Sequence, residues 1–453
     1  MWYHFIAIGG SAMHNLALDL AQKGHKITGS DDEIFEPSYS RLKTAGILPE
    51  KFGWFPEKIS SQIDAVIVGM HARPDNPELI KVKELGIPFY SYPDFLYLHA
   101  KNKKRVVIGG SHGKTTITSI VLHILKHTSI NFDYMVGAQI KGFDRMVKLS
   151  DEAELMVFEG DEYLTAPFDP RPKFHIYKPH IALVSGIAWD HMNVFKTFEN
   201  YIHQFRIFIN TIEPNGTFIW YKNDIELRQL ASTLRTDILS VAYEEHPSII
   251  ENGQTWLIHQ DNRYPINIFG KHNLQNIMGS KEICMKLGVE ENIFYSAIQT
   301  FEGANKRLQK FYENSDINLT VYLDFAHAPS KVKATIEAVR TLYPHCYLIA
   351  CLELHTYSSL SKEFLPLYVN SMDNCNLPIV YFNTHALELK KLPMLTEQDI
   401  IEGFKQPHLK IFSQSRQLFN FLTTSIKKNC IILLMSSGNF DNYNLSEWVK
   451  NLK

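Results

Sequence analysis

Short apolar runs alternate with amphipathic stretches along nearly the whole of this 453-residue chain. Short, continuous apolar runs are typical of strands buried on both faces, and amphipathic stretches are typical of helices that cover a sheet. Strands and helices that alternate in this way pack as layers around a parallel sheet. The pattern therefore predicts an α/β fold, and the length predicts about three domains.

Breaks in this pattern divide the chain into three predicted domains, residues 1–103, 104–300 and 301–453. The polar run Lys101–Arg105 marks the first boundary, and we expect it to be a solvated linker because charge runs are usually exposed. The third domain contains strong strand candidates, at 319–324, 346–352 and 430–435.

Composition excludes several classes of protein. With 46 Lys and Arg against 48 Asp and Glu, no global field favours nucleic acid or an anionic membrane. The longest purely aliphatic or methionine stretch, Ile431–Met435, is far shorter than the roughly 20 residues of a membrane span. The start of the chain lacks the pattern of a secretory signal, and the five scattered cysteines suit a reducing compartment. We expect a cytoplasmic protein without nucleic-acid or membrane partners.

A glycine-rich turn with the sequence GGSHGKTT lies at 109–116, between the apolar run 106–108 and a helical stretch. Backbone N–H groups of such a turn converge on an anion, and the helix N-terminus adds its positive end. Lys114 can reach outer phosphates, and the Thr115 hydroxyl is placed to bind magnesium. Ile108 occupies the first glycine position of the full phosphate-loop template, yet Gly-Lys-Thr after a strand favours nucleotide binding over a structural turn. The candidate residues are Gly110, Ser111, His112, Gly113, Lys114, Thr115 and Thr116.

Two further buried-type strands lead to polar side chains. Leu155–Phe158 is followed by Glu159, and Ile181–Ser185 leads to His191. The carboxyl ends of parallel strands meet at one edge of a sheet. If both strands flank the strand before the phosphate loop, then Glu159, His191 and Thr115 can approach a magnesium ion that bridges ATP phosphates. His191 taken alone is more typical of a capping or core histidine.

The turn at Gly9–Gly10 also follows an apolar run. A dinucleotide fingerprint would place glycines at 7, 9 and 12, but Ala7 and Ala12 occupy two of these positions, so no nicotinamide cofactor is implied. Asp31 ends the second predicted strand. Its position suits a ribose-binding acid and an ordinary acid at a strand end equally well.

Taken together, seven short motifs resemble the Mur ligases, the ATP-dependent amide-bond-forming enzymes of peptidoglycan synthesis. They are Ile8–Met13, Gly110–Thr116, Glu159–Glu162, Asp190–Met192, Gly270–Asn276, Lys306–Leu308 and Asp324–Pro329. The resemblance covers essentially the full chain. It implies a Rossmann-like first domain that binds a UDP-sugar, a P-loop ATPase-like second domain that binds ATP, and a Rossmann-like third domain that closes over both.

The resemblance also implies roles for individual residues. His272, Asn273 and Asn276 would hold the nucleoside end of ATP, Arg307 would contact its phosphates, and Asp324 its ribose. Taken alone, Arg307 and Asp324 would be solvated charges. The UDP-sugar would contact the first turn and the following strand end, at Gly10, Ser11, Ala12, Met13, Ser30 and Asp31.

The implied reaction activates a sugar carboxylate as an acyl phosphate, which an amine then attacks. The residues expected to carry it are Lys114, Glu159, His191 and His327. His327 lies just after a strand end, where it either orients phosphate or is structural. The implied cofactors are ATP and Mg²⁺, and we expect a monomer or weak homodimer.

Within the family, the likeness is greatest to members that use UDP-N-acetylmuramate as the acid. One of these adds L-alanine, and another attaches the tripeptide L-Ala-γ-D-Glu-meso-diaminopimelate. The segment 161–174 resembles the tripeptide-attaching members, and Arg171 and Lys173 can offer positive charge to a peptide carboxylate. Ala328 stands where the alanine-adding members carry a second histidine. Arg206 stands where some members carry a carbamylated lysine, which argues against a carbamate here.

Two alternatives from other classes stay open at this point. One is a non-catalytic, nucleotide-sensing binding protein that has kept both pockets. The other is a ligase for a different acid, such as a folate-type polyglutamate enzyme.

Overall fold

A computed structural model describes residues 1–70, 72–189, 194–251, 253–303, 307–390 and 392–452. These residues form two compact units. Unit 1 comprises the described residues of 1–188, 197–244 and 279–294, and unit 2 those of 189–196, 245–278 and 295–453. The division into domains at 103/104 and 300/301 stays a prediction.

Unit 1 begins with four parallel strands, β1 (Trp2–Ile6), β2 (Lys26–Ser30), β3 (Ala65–Val68) and β4 (Phe89–Ser91). Their order in the sheet is β2-β1-β3-β4. The helices between and after them are α1 (Ser11–Gln22), α2 (Ser38–Thr44), α3 (Pro77–Glu84) and α4 (Tyr92–Ala100). The central strands β1 and β3 are buried apart from Trp2, because helices cover both faces of a parallel sheet, and His4 is the one buried histidine within these two strands.

The next strands are β5 (Lys104–Gly109), β6 (Phe132–Met135), β7 (Val147–Lys148), β8 (Leu155–Glu159), β9 (Leu164–Ala166), β10 (Asp169–Pro172), β11 (Ile181–Val184), β12 (Thr217–Tyr221) and β13 (Leu239–Tyr243). Strands β9 and β10 form a separate antiparallel hairpin. The others form a sheet in the order β13-β12-β11-β5-β8-β6-β7, in which β7 is an antiparallel edge strand. The helices up to residue 298 are α5 (Lys114–Leu125), α6 (Phe198–Asn210), α7 (Ile225–Ser232), α8 (Lys271–Lys286) and α9 (Glu291–Ile298).

Strands β8 and β11 lie on either side of β5, as the sequence analysis required. Ile108 pairs with Glu159 on one side, and Gly109 pairs with Val184 on the other. All three strands run in parallel, so the segments that follow them meet at the same edge of the sheet.

The polar run 101–105 differs in part from the expected solvated linker. Lys101, Asn102 and Lys104 are exposed, but Arg105 lies in β5 with only 2% of its side chain exposed. Its guanidinium donates to five backbone carbonyls, those of Ala100, Lys101, Lys103, Tyr177 and Lys178. It also donates to Oε1 of Glu213 at 2.7 Å. The expectation is therefore wrong for Arg105, because carbonyls and a carboxylate from several segments hold its planar fork of donors in a buried position.

Unit 2 contains a small antiparallel sheet of β14 (Ser248–Glu251), β15 (Gln254–His259) and β16 (Asn262–Ile266). Its larger sheet is built from β17 (Gln309–Asn314), β18 (Leu319–Asp324), β19 (Tyr347–Leu354), β20 (Leu377–Phe382), β21 (Lys410–Phe412) and β22 (Cys430–Met435). The order is β17-β18-β22-β19-β20-β21, and only β17, at the edge, is antiparallel. The helices are α10 (Pro329–Leu342), α11 (Thr384–Leu389), α12 (Glu397–Phe404), α13 (Ser415–Ser425) and α14 (Leu445–Lys450).

The predicted α/β fold with parallel sheets is thus confirmed. The strand candidates at 319–324 and 430–435 coincide with β18 and β22, and the one at 346–352 corresponds to β19. Within the described residues, no helix combines the length and hydropathy needed to span a lipid bilayer.

Candidate functional site

The glycine-rich turn between β5 and α5 has a backbone that only glycine adopts easily. Gly110 has φ +125° and Gly113 has φ +80°, both in the region that L side chains avoid. A Cβ on Gly110 would lie 2.9 Å from the backbone nitrogen of Ser185, so the loop also approaches β11 too closely for a side chain. Ser111 N donates to Gly186 O at 2.9 Å, which fastens the loop to the segment after β11.

Lys114 lies at the first position of α5, and its ammonium folds back over the loop. Nζ donates to Gly110 O at 2.7 Å and to Oε2 of Glu162 at 2.6 Å. Only 1% of the Glu162 side chain is exposed. Burial alone would lower the pKa of Lys114, but the negative charges of Glu162 and Asp161 outweigh it and raise the pKa. The ammonium therefore stays charged at neutral pH.

Thr115 and Glu159 meet beside this lysine. Thr115 Oγ1 donates to Oε1 of Glu159 at 2.7 Å, and Gly137 N donates to Oε2 at 2.7 Å. A Cβ on Gly137 would lie 2.8 Å from Oε1, so glycine is needed for this approach. A hydroxyl and a carboxylate are the hard oxygen donors that Mg²⁺ prefers, and the two residues fit the predicted metal site.

The third predicted metal ligand, His191, lies outside the described residues, as do Asp190 and Met192 of the same motif. Across the part of the chain that the structure describes, no three His, Cys, Asp or Glu side chains gather as metal ligands. Of the three predicted magnesium ligands, the structure therefore describes Thr115 and Glu159.

The other predicted loop residues have contacts of their own. Thr116 is buried in α5, and His112 Nδ1 lies 2.7 Å from Ser111 O. Ser111 Oγ lies 2.9 Å from the hydroxyl of Tyr201 and accepts from Ala188 N at 2.9 Å.

Glu162 and Tyr201 were not among the predicted site residues. Glu162 could have been identified from the sequence, because it is the last acid of the 159–162 motif. Tyr201 lies in α6 and belongs to none of the seven motifs.

In the N-terminal turn, Gly10 caps α1 and Gly9 N donates to Oδ2 of Asp31 at 2.7 Å. A Cβ on Gly9 would lie 2.9 Å from that oxygen. Burial raises the pKa of Asp31 to about 6, although the Gly9 N–H opposes the rise. Ser30 is buried at the end of β2, and its carbonyl accepts from Ala7 N at 2.9 Å.

The remaining residues predicted to contact the UDP-sugar line the start of α1. Ser11 is exposed, Ala12 is half-buried and Met13 is buried. Beside them, Met146 N donates to Oδ1 of Asn15 at 3.1 Å. The segment that follows β6 therefore contacts this end of α1.

Both predicted peptide-binding cations have carboxylate partners nearby. Arg171 forms a two-point contact with Asp169, with distances of 2.9 Å from Nε to Oδ1 and 2.6 Å from Nη2 to Oδ2. Lys173 Nζ donates to Oδ2 of Asp161 at 2.6 Å. Burial raises the pKa of Asp161, but Lys173 and Lys114 outweigh it and hold this pKa well below its usual range. The role of Arg171 and Lys173 in peptide binding stays a prediction.

In unit 2, the predicted nucleoside-binding residues His272, Asn273 and Asn276 lie in the first turns of α8. Gly270 precedes them with φ +90°, and a Cβ there would collide with Ala338 of α10. Asn273 Nδ2 donates to Phe269 O at 2.8 Å, and Asn276 Nδ2 lies 3.5 Å from Asn273 Oδ1. Burial lowers the pKa of His272 to about 4, so its imidazole is neutral at pH 7.

Asp324 ends β18 and fastens two loops of unit 2. Its Oδ2 accepts from Leu308 N at 2.6 Å, and Oδ1 accepts from Ala326 N at 2.7 Å. Burial raises the pKa of Asp324, against the opposing charge of Arg307. The Arg307 guanidinium carbon lies 4.7 Å from the centre of the Phe325 ring. Asp324 is thus a buried acid and not the solvated charge that it would be in isolation.

His327 follows two residues later, with Nδ1 2.8 Å from Phe325 O. The Tyr368 hydroxyl donates to the His327 carbonyl. Its expected role with phosphate, like the ATP contacts of Arg307 and Asp324, stays a prediction. Lys306, which belongs to the same motif as Arg307, lies outside the described residues.

Two family sequence models match the chain, "Mur ligase family, catalytic domain" over residues 2–104 and "Mur ligase middle domain" over residues 108–284. The UDP-N-acetylmuramate–L-alanine ligase of Desulforamulus reducens is 30% identical over 383 residues, which are 81% of this chain and 80% of that protein.

Two solved structures are similar over nearly the whole chain. A murein peptide ligase from Psychrobacter arcticus has a TM-score of 0.68 at 22% identity, and the match covers 100% of this chain and 99% of that one. The UDP-N-acetylmuramate–alanine ligase of Thermotoga maritima has a TM-score of 0.72 at 17% identity, with 98% and 97% covered. At these identities, the two similarities support the fold alone.

Proposed function

Because the chain belongs to the Mur ligase family of ATP-dependent amide-bond-forming ligases, we propose that it joins UDP-N-acetylmuramate to the tripeptide L-Ala-γ-D-Glu-meso-diaminopimelate. The bond forms between the lactyl carboxylate of the sugar and the amine of the peptide. One observation carries the ligation chemistry. The Lys114 ammonium, the Thr115 hydroxyl and the Glu159 carboxylate lie together where β5 and β8 end.

In the first step, the sugar carboxylate attacks the γ-phosphorus of ATP. The bond from that phosphorus to the β–γ bridging oxygen breaks, and ADP leaves. Two anions repel each other during this attack, so positive charge must be concentrated at the transferred group. Lys114, the converging backbone N–H groups and the N-terminal end of α5 supply it. Thr115 and Glu159 would hold Mg²⁺, which supplies further positive charge to the phosphates.

In the second step, the peptide amine attacks the carbonyl carbon of the acyl phosphate. A tetrahedral intermediate forms, the bond from carbon to the phosphate oxygen breaks, and the amine nitrogen loses a proton as the amide forms. An acyl phosphate hydrolyses readily, so the site must exclude water until the amine arrives.

Two features of the chain support the tripeptide as the amine substrate. The segment 161–174 resembles tripeptide-attaching family members, and it carries the cations Arg171 and Lys173, which suit a substrate with several carboxylates. Ala328 replaces a histidine of the alanine-adding members.

The identity to a relative named as an L-alanine ligase favours a second candidate, in which L-alanine is the amine. L-Alanine has a single carboxylate, so this reaction would depend less on the two cations of the 161–174 segment.

The decisive experiment incubates the protein with Mg-ATP, UDP-N-acetylmuramate and one amine at a time. Mass spectrometry then follows ADP and the ligated nucleotide. Ligation of the tripeptide at a kcat/KM at least tenfold above that for L-alanine supports the proposal, and the reverse order supports the second candidate. If no amine yields a product while ATP still binds, both candidates are rejected in favour of a nucleotide-binding protein.

A further inference from the structure

Hydrogen bonds within the protein hold the Lys114 ammonium in one orientation. It has three N–H donors, and two of them go to Gly110 O and to Oε2 of Glu162. The third N–H has no hydrogen-bond partner among the described residues. Since the four bonds of the ammonium nitrogen are tetrahedral, two held donors also fix where the third points. Lys114 can therefore bind a phosphoryl oxygen without leaving Glu162.

The Glu162 carboxylate is itself held by a hydrogen bond from α6. Its other oxygen, Oε1, accepts from the Tyr201 hydroxyl at 3.2 Å. That hydroxyl lies 2.9 Å from Ser111 Oγ, which in turn accepts from Ala188 N at 2.9 Å. The carboxylate is thus connected to α6, to the phosphate loop and to the segment after β11. A buried carboxylate with these partners has little freedom to change its rotamer.

We propose that Glu162 is a positioning residue for phosphoryl transfer, which aims the Lys114 ammonium at the transferred phosphoryl group. This inference rests on the proposed function, since it concerns the first step of that reaction. A lysine side chain is long and flexible, and an aimed donor stabilises the transition state without being reordered during the step.

The same carboxylate has an opposite effect on nucleotide binding. Its negative charge lies beside the phosphate site, where Asp161 and Glu159 add more. Lys114 and Lys173 offset part of this negative charge, but each carboxylate still weakens the attraction of the site for a metal-free triphosphate. Removing the charge of Glu162 should lower the rate of the chemical step and, in the absence of magnesium, tighten nucleotide binding. A purely structural role would not move these two quantities in opposite directions.

The test compares Glu162→Gln with wild type and with Glu152→Gln, a change of an exposed carboxylate in unit 1. Single-turnover ligation gives the rate of the chemical step, and calorimetry with ATP in excess EDTA gives the metal-free Kd. For Glu162→Gln we expect at least a tenfold lower rate and about a threefold lower Kd, the latter from removal of one nearby like charge. Glu152→Gln should match wild type in both measurements.

Tyr201→Phe provides a second variant in case Glu162→Gln does not fold. It removes the hydrogen bond to Glu162 and the contact with Ser111 Oγ, without changing any charge. We expect at least a threefold lower rate, because Glu162 loses a hydrogen bond that helps to hold its carboxylate, with an unchanged metal-free Kd.

Two results would overturn the inference. One is a rate within twofold of wild type in Glu162→Gln or, if that variant is unfolded, in Tyr201→Phe. The other is a rate and a nucleotide affinity that fall together with the melting temperature. Wild-type turnover keeps this test separate from that of the proposed function, because absence of wild-type product refutes the ligase and an unaffected variant refutes only the role of Glu162.

Discussion

Thr115 Oγ1 donates a hydrogen bond to Oε1 of Glu159, at 2.7 Å, between residues that are 44 positions apart in the chain. The first residue comes from the helix after the phosphate loop and the second from the end of the neighbouring strand β8. This hydrogen bond places the hydroxyl oxygen and the carboxylate side by side. Two hard oxygen donors are therefore already adjacent where magnesium is expected to bind.

Glu159→Gln should raise the magnesium requirement of ligation. The amide keeps the shape of the side chain but loses the charge that attracts the cation. We expect the Mg²⁺ concentration for half-maximal rate to rise about tenfold or more. Loss of a residue that only supports the metal ligands already lowers metal affinity by about 10–100-fold. The measurement is a Mg²⁺ titration of the initial rate at saturating ATP. An unchanged half-maximal concentration would remove Glu159 from the metal site.

Lys114→Ala should abolish turnover, with a loss of about a thousandfold or more. The pairing with Glu162 adds a consequence for stability, since the alanine leaves a buried carboxylate without its cation. Such a loss typically costs about 3–5 kcal/mol. The double variant Lys114→Met/Glu162→Gln removes both charges, so urea unfolding should show recovered stability without recovered turnover. Activity above a tenth of wild type in Lys114→Ala would contradict the role of this lysine.

Arg105→Met should destabilise unit 1 strongly. The guanidinium donates to five carbonyls and pairs with Glu213, and methionine would remove all six of these contacts. Of the five carbonyls, Ala100 O keeps a second donor, Lys103 N. We expect a loss of about 3–5 kcal/mol in the free energy of unfolding, measured with urea. The exposed neighbour Lys101→Met is the matched control and should change stability by about 0.5 kcal/mol or less. Equal effects of the two variants would show that the Arg105 contacts contribute little.

The strands that build the phosphate site were predictable because each is a local pattern. Apolar runs mark β5, β8 and β11, and the polar residues just after them could be assigned to one sheet edge from the rules of parallel sheets. Partners distant in sequence were not predictable. Arg105 looked like part of an exposed charge run because its acceptors at Tyr177 and Lys178 lie more than 70 positions away.

The same limit applies to the residues around Lys114. The sequence identified the lysine by its motif, but the Glu162 and Tyr201 contacts arise only when β8 and α6 fold beside the loop. In unit 2, Asp324 was identified by its place in a motif, whereas its hydrogen bonds to Leu308 N and Ala326 N depend on how two loops meet. Local sequence patterns thus identify candidate site residues, but they do not identify the contacts of those residues with distant parts of the chain.

Asp31 should make the stability of the protein depend on pH. Burial raises its pKa from 3.8 to about 6, so the folded state binds this proton more tightly than the unfolded state. The stabilisation is complete below pH 4 and is lost as the pH rises through 6. Two pKa units correspond to about 3 kcal/mol at most.

Asp31→Asn has no such proton to lose. Relative to wild type, it should therefore gain stability between pH 4.5 and pH 7.5, as measured by urea unfolding at both values. Asp151→Asn, at an exposed site, is the control and should show no comparable gain. A difference between wild type and Asp31→Asn that does not vary with pH would contradict the buried, protonatable state of Asp31.

The most direct test of the central claim, that ATP activates the sugar acid as an acyl phosphate at the 110–116 loop, uses UDP-N-acetylmuramate with both carboxylate oxygens labelled with ¹⁸O. The labelled substrate is ligated with Mg-ATP and the preferred amine, and the released phosphate is analysed by mass spectrometry. Activation as an acyl phosphate should leave one ¹⁸O atom in each phosphate and one in the new amide carbonyl. Amide formation with unlabelled phosphate would contradict it.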